Sequence, residues 1–207
     1  MHEQDVISPT PGAILDYWIG AANDDHLLAN RRHKLWFAKS TKTDAFITRN
    51  FAETHSALNT DLAAEWTKTG PRSRLAAIIV LDQFSRNMFR DTPLAFESDS
   101  LALQLAKEGL ARGDDEQLAE VERSFFYMPF EHAESLPEQH ECIRLFEGLV
   151  VDSRSTFKPM CTSSLDYAHR HRDIIAKFGR FPHRNSILGR ENTPEETEYL
   201  SKPGAGF

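Results

Sequence analysis

Cysteine is scarce in this 207-residue chain: Cys142 and Cys161 are the only two, and they form neither a CxxC pair nor zinc-finger spacing. That excludes a disulfide scaffold and points to a reducing, cytoplasmic setting. Long apolar runs are missing too. The longest, Leu75–Leu81, ends at Asp82, far short of the roughly 20 residues a membrane span needs. The opening Met1-His2-Glu3-Gln4-Asp5 is acidic and has no apolar signal core, so export is not expected. Valine occurs five times against 41 Ala and Leu together. That ratio favours helix over strand, because β-branched side chains lose rotamer freedom in a helix and Ala and Leu do not. No segment alternates with period two, and no Asn-Gly or Asp-Gly pair marks a hairpin. A Gly-rich phosphate loop, a GxSxG elbow, a Cys–His signature and an EF-hand loop are absent as well.

What is present suits a globular chain. Hydrophobic residues make up 40% and charged residues 27%, ordinary values that exclude disorder. The length suits one domain over 1–207, with a core that stands without disulfide or metal. Thr10-Pro11 starts a helical pattern through Ile14, Leu15, Trp18 and Ile19 that stops at Gly20. Similar patterns cover Asp44–Trp66 (one bent helix or two), Arg72–Arg90, Ser98–Arg112, a segment from Asp114 through Phe126, and Lys158–Phe178, which ends at Gly179. Ser135-Leu136-Pro137-Glu138 and Thr193-Pro194-Glu195-Glu196 have the form of capping boxes, opening a helix to about Val150 and a short last helix. The expected class is all-α, with successive helices packed as antiparallel neighbours. No repeat of fixed period is visible.

Three places break the pattern. In Arg72–Arg90, Asp82 falls amid Leu75, Ile78, Ile79 and Phe89, with Arg86 one turn on and an apolar face opposite. A helix apolar on nearly all sides is central, so both charges need partners: a buried unpaired charge costs several kcal/mol. They form either an internal ion pair that fixes register or the floor of a pocket. In the second place, Pro129 is expected to kink or restart the helix just before His132 and Glu134. There the polar pair is a helix-end cap, an acid–base couple or a metal site. The third, His169–Arg190, holds six Lys/Arg and one acid within a chain of net charge −7. His171 lies on the apolar stripe with Ile174 and Phe178, and a loop with Arg180, His183 and Arg184 follows Gly179, Asn185 being a plausible N-cap for the turn after it. Such a loop suits a carboxylate or phosphate; it equally suits simple docking onto an acidic surface. The patch is too short and the chain too acidic for nucleic-acid binding to be expected. His26, His33, His55 and His140 read as surface or helix-end residues.

Taken together, LAAIIVLDQFSRNMFR, FFYMPFEHAESLPEQ, HRDIIAKFGRFPHRN and LGRENTPEE, with the early ILDYWIG and KLWF, closely resemble the bacterial family called domain of unknown function 924. The resemblance spans nearly the whole chain. Departures are small: Tyr17 stands where Phe is commoner, and Phe130-Glu131 where Leu-Met is. It implies an all-α fold related to tetratricopeptide-like helical superstructures and no known reaction. It also implies that the three pattern breaks belong together.

The expected site is thus one polar cleft made by Asp82, Arg86, His132, Glu134, His171, Arg180, His183 and Arg184, with the arginines holding a small anionic ligand or an acidic peptide terminus. A histidine beside a carboxylate can then serve as acid–base. No cofactor and no resident metal are expected, no membrane partner, and no particular oligomeric state. Two alternatives stay open: a tetratricopeptide-like module whose concave surface takes up a protein partner, and a metal-dependent enzyme using His132, Glu134, His171 and His183.

Overall fold

The computed structural model describes residues 10–206, so the acidic opening of the chain lies outside the described residues. From the N-terminal side the helices are α1 (Pro11–Trp18), α2 (His26–Phe37), α3 (Thr41–Leu58), α4 (Leu62–Thr69) and α5 (Pro71–Ile79). α5 runs through a π-helical turn (Val80–Phe84) into α6 (Ser85–Met88). Then come α7 (Asp99–Leu110), α8 (Glu120–Glu131), α9 (Leu136–Asp152), α10 (Lys158–Phe178) and α11 (Pro194–Leu200), with 3₁₀ turns at Pro93–Phe96 and Pro182–Arg184. Among the described residues there is no strand, and no helix is long and apolar enough to cross a membrane.

Local chemistry sets the boundaries. The Thr10 hydroxyl accepts from the Ala13 amide at 3.2 Å, with Pro11 in the first turn of α1. Asp25 and Ser40 cap α2 and α3 in the same way. The pattern over Asp44–Trp66 resolves into two helices, α3 and α4. Thr193 and Glu196 form the expected capping box: the Glu196 amide donates to the Thr193 hydroxyl at 3.2 Å and the Thr193 amide to the Glu196 carboxylate at 2.7 Å. The Ser135 box does not form. Its hydroxyl makes no cap bond, and Glu138 accepts from Lys107 at 2.5 Å instead. A surface lysine won that carboxylate.

α5 and its π-turn are the central rod that the sequence implies. Every residue from Arg74 through Ser85 is buried. The rod packs on α1, α4, α7 and α8, and around Phe84 it builds an aromatic cluster. Trp18 meets Phe84 edge-on at 5.2 Å, Phe51 lies 4.9 Å from it, and Phe125 reaches Trp18 at 5.9 Å. Close approach needs glycine where α7 passes this layer, because a Cβ at Gly109 would collide with Phe126 and Arg74. α8, α9 and α10 pack in succession beside it. A second, smaller apolar cluster of Ile174, Ile175 and Phe181, flanked by Phe178 and Tyr199, lies at the end of α10.

α2 was not among the expected helices. Only Ala29 is buried in it, so its apolar periodicity is weak. It is fastened by polar bonds: Arg32 donates to the Tyr17 carbonyl at 2.6 Å and the Trp36 indole to the Trp18 carbonyl at 2.7 Å. Of the two outcomes expected at Pro129, a restart does not occur: α8 continues through it to Glu131.

Candidate functional site

The rod delivers the first acid. Asp82 sits in the π-turn, a helix irregularity that adds a residue to one turn and re-aims the side chains around it. It is 1% exposed, and its carboxylate is fully engaged. Oδ1 accepts from His132 Nδ1 at 2.7 Å and lies 3.1 Å from Arg86 Nη1; Oδ2 accepts from Gln83 Nε2 at 2.5 Å. Burial alone would raise this carboxyl's pKa. Arg86 and His132 beside it, with the hydrogen bonds from His132 and Gln83, overcome that and hold it well below the usual carboxylate range. Arg86 also donates to the Asp82 carbonyl at 2.6 Å and forks onto Asp99, the first residue of α7, at 2.9 and 3.0 Å.

His132 stands at the C-terminal cap of α8, where its amide still donates to the Met128 carbonyl at 3.0 Å. The end of that helix is clamped by Gln139 from the first turns of α9. Its side-chain amide donates to the carbonyls of Phe130 (3.2 Å), Glu131 (2.7 Å) and Ala133 (2.9 Å). This clamp gives the carbonyls at the end of α8 a side-chain donor and ties the residues on either side of His132 to α9. From α10, His171 Nδ1 lies 2.8 Å from Glu131 Oε1 and 2.9 Å from the Tyr167 carbonyl. The His132 and His171 rings are 6.4 Å apart, edge to face.

The loop after α10 supplies the cations. Glu134 accepts from the Phe181 amide at 2.8 Å and from both ends of the Arg190 fork at 2.6 and 2.9 Å. Arg190 Nε is held in turn by Asn185 Oδ1 at 2.9 Å. Asn185 is therefore a clamp on this loop and not a helix N-cap. Arg184 is 7% exposed, with its guanidinium carbon 4.7 Å from the centre of the Phe96 ring and 4.5 Å from that of Phe181. Its nearest carboxylate oxygen, on Asp99, is 3.7 Å away, and its buried Nε has no hydrogen-bond partner among the described residues. Burial, and next the nearby Arg86 charge, lower its pKa to about 10. His183 is pushed down to about 4 by burial, then by Arg184 and His171.

Seven of the eight expected residues thus come together. Contacts run from His132 to Asp82, Arg86, Asp99 and Arg184, then over Phe181 to His171 and back to His132. Glu134 and His183 flank this closed ring. Arg180 does not join it. It forks onto Glu196 at 2.7 and 2.8 Å and ties α11 to the loop. A buried carboxylate at the start of α11 captures it.

The metal reading has no geometric footing among the described residues, where no three His, Cys, Asp or Glu side chains are grouped to hold an ion. Each of His132, His171 and Glu134 faces a different partner. His55 stands in the last turn of α3, the helix-end position its reading allowed, and is half-buried. Its Nε2 lies 2.8 Å from Ser85 Oγ and 3.2 Å from Ser98 Oγ, and burial lowers its pKa.

Sequence reasoning missed Asp99, Phe96, Glu131 and Gln139. Asp99 reads as an ordinary acid in a first helical turn, and Phe96 and Glu131 as core and helix-end residues. Only contacts across the fold reveal them.

Residues 14–204 match the profile of a bacterial protein family of unknown function, DUF924. The chain is also similar to a solved structure from Agrobacterium tumefaciens, itself a protein of unknown function, ATU0120. Identity is 37%, covering 92% of this chain and 96% of that one, with a TM-score of 0.76. No curated protein matches.

Proposed function

From the premise that the chain belongs to the DUF924 family, whose members have no established reaction, we propose that it binds a small anionic molecule, or the acidic terminus of a peptide, at the ring around Arg184. The supporting observation is Arg184 itself. A guanidinium carries five donors, yet here it is buried between two aromatic rings with one distant carboxylate and an unpartnered Nε. Buried charges ordinarily take close, hydrogen-bonded partners. A carboxylate or phosphate offers the planar, two-oxygen match that arginine favours. Arg86, already held by Asp82 and Asp99, adds a second positive charge beside it. Side chains of His132 and Arg86 keep 16% and 21% of their surface, so the ring is open to solvent at its edge.

Native mass spectrometry of protein isolated from cells tests this reading. The expected spectrum shows an anion of defined mass on the wild-type chain and none on Arg184→Leu. Wild-type protein that emerges as the bare chain contradicts it.

A second reading, capture of a protein partner on a tetratricopeptide-like surface, is favoured by α2. Leu27 and Phe37 are each about half exposed there, beside Arg31 and Lys34, which share a shallow depression with Leu27. In the same spectra, a stoichiometric protein partner that survives Arg184→Leu and is lost on Leu27→Ser or Phe37→Ser selects this reading.

A further inference from the structure

Resting on the anion reading, we propose that the site transfers a proton as well as binding: His132 is the proton acceptor for an anionic substrate seated on Arg184, and it removes a proton from an O–H or C–H group next to that substrate's carboxylate or phosphate. The geometry fixes the tautomer. Asp82 is an ionised, acceptor-only carboxylate 2.7 Å from Nδ1, so Nδ1 carries the hydrogen and the lone pair of the neutral ring is on Nε2. Nε2 meets no hydrogen-bond partner among the described residues, while the side chain keeps 16% of its surface.

The support around Asp82 is more than an ion pair requires. The π-turn places the carboxylate, Gln83 ties its second oxygen, and Arg86 holds the first. Gln139 fixes the helix end that carries the imidazole. A general base needs this arrangement, with a carboxylate behind one nitrogen and an open nitrogen in front. The step balances without any further reagent. Nε2 gains the proton and the ring becomes an imidazolium still bonded to Asp82. The electron pair stays on the substrate atom, where the Arg86 and Arg184 charges stabilise it. No bond other than that to hydrogen breaks.

Long-range proton–nitrogen correlation spectra of the full-length ¹⁵N-labelled chain test this, with inorganic phosphate as the probe. The expected result is His132 as the Nδ1–H tautomer, with phosphate moving its Nε2 resonance in step with Arg184 Nε. Arg184→Leu, which replaces a buried charge with an apolar side chain, abolishes both responses. A wild-type ring found as the Nε2–H tautomer overturns the proposal. So does a titration in which Arg184 Nε responds and His132 Nε2 does not, although anion binding then stands. If neither responds, the anion reading falls with it. Asp82→Asn, where it folds, is expected to give mixed tautomers; an unchanged Nδ1–H tautomer in that variant counts against Asp82 as the positioning residue.

Discussion

Around Phe84, Trp18, Phe51 and Phe125 join a continuous apolar mass that spans most of the helices. Around Phe181, the apolar cluster of buried residues is just Ile174 and Ile175, and the charged Arg184 and His171 pack on the same ring. Ion pairs do the fastening there: Glu134 with Arg190, and Arg180 with Glu196. The first region gains its stability from surface removed from water. In the second, a carboxylate that loses its charge leaves an arginine without a partner, so stability depends on pH. The difference teaches where function can reside. The aromatic region's buried unpartnered donor is a neutral indole N–H on Trp18, whereas the charged region carries unused hydrogen-bonding capacity on a guanidinium, at Arg184.

The comparison breaks first at Phe84. Phe84→Ala is expected to cost about 3–5 kcal/mol, read as a lower urea midpoint at unchanged slope; a loss below about 1 kcal/mol contradicts the aromatic region's role. Next is pH. The fold holds His183 at about 4 against an ordinary 6.5, so between those values the unfolded chain takes up a proton that the folded chain refuses. Stability from this group is fully present above pH 6.5 and lost as pH falls through about 4, on the order of 2–3 kcal/mol. His183→Asn should flatten urea midpoints across that window. Below it, the lowered carboxyls of Asp82 and Glu134 add their own loss, since such groups stabilise above the unfolded carboxyl range and fail as acid protonates them.

A third test separates the regions directly. Glu134→Gln removes the charge facing Arg190 and weakens the Phe181 tie, for about 2 kcal/mol after allowing for partial exposure. Hydrogen exchange should speed at Phe181 while the Leu75–Leu81 amides stay protected; uniform acceleration argues against separate fastening. The smallest effect compares two caps. Thr193→Ala should cost about 1 kcal/mol, and Ser135→Ala close to nothing, because only the Thr193 hydroxyl receives an amide.

The sequence carried the class and most helices plainly, because Ala, Leu and aromatic spacing decide both. The rod was legible because Leu75, Ile78 and Ile79 on one side and an apolar face opposite leave the segment apolar nearly all round, which puts Asp82 inside. α2 escaped because polar bonds from Arg32 and Trp36 hold it, and such bonds leave no periodic trace. Pro129 left a restart and a kink open, and α8 continuing to Glu131 removes the restart. Ser135 and Arg180 misled because Lys107 and Glu196 compete from across the fold. The seven expected site residues that meet could be named from sequence because each stood in a segment that broke its local pattern. Asp99 and Phe96 broke none, and so were invisible.

Calorimetric titration of inorganic phosphate and of succinate into the wild-type chain and into Arg184→Leu, at low and high salt, tests the central claim most directly. The account predicts saturable heat with at least one anion in the wild type, weaker in high salt and absent in the variant. Equal heats in the two proteins, or none in the wild type, contradict it.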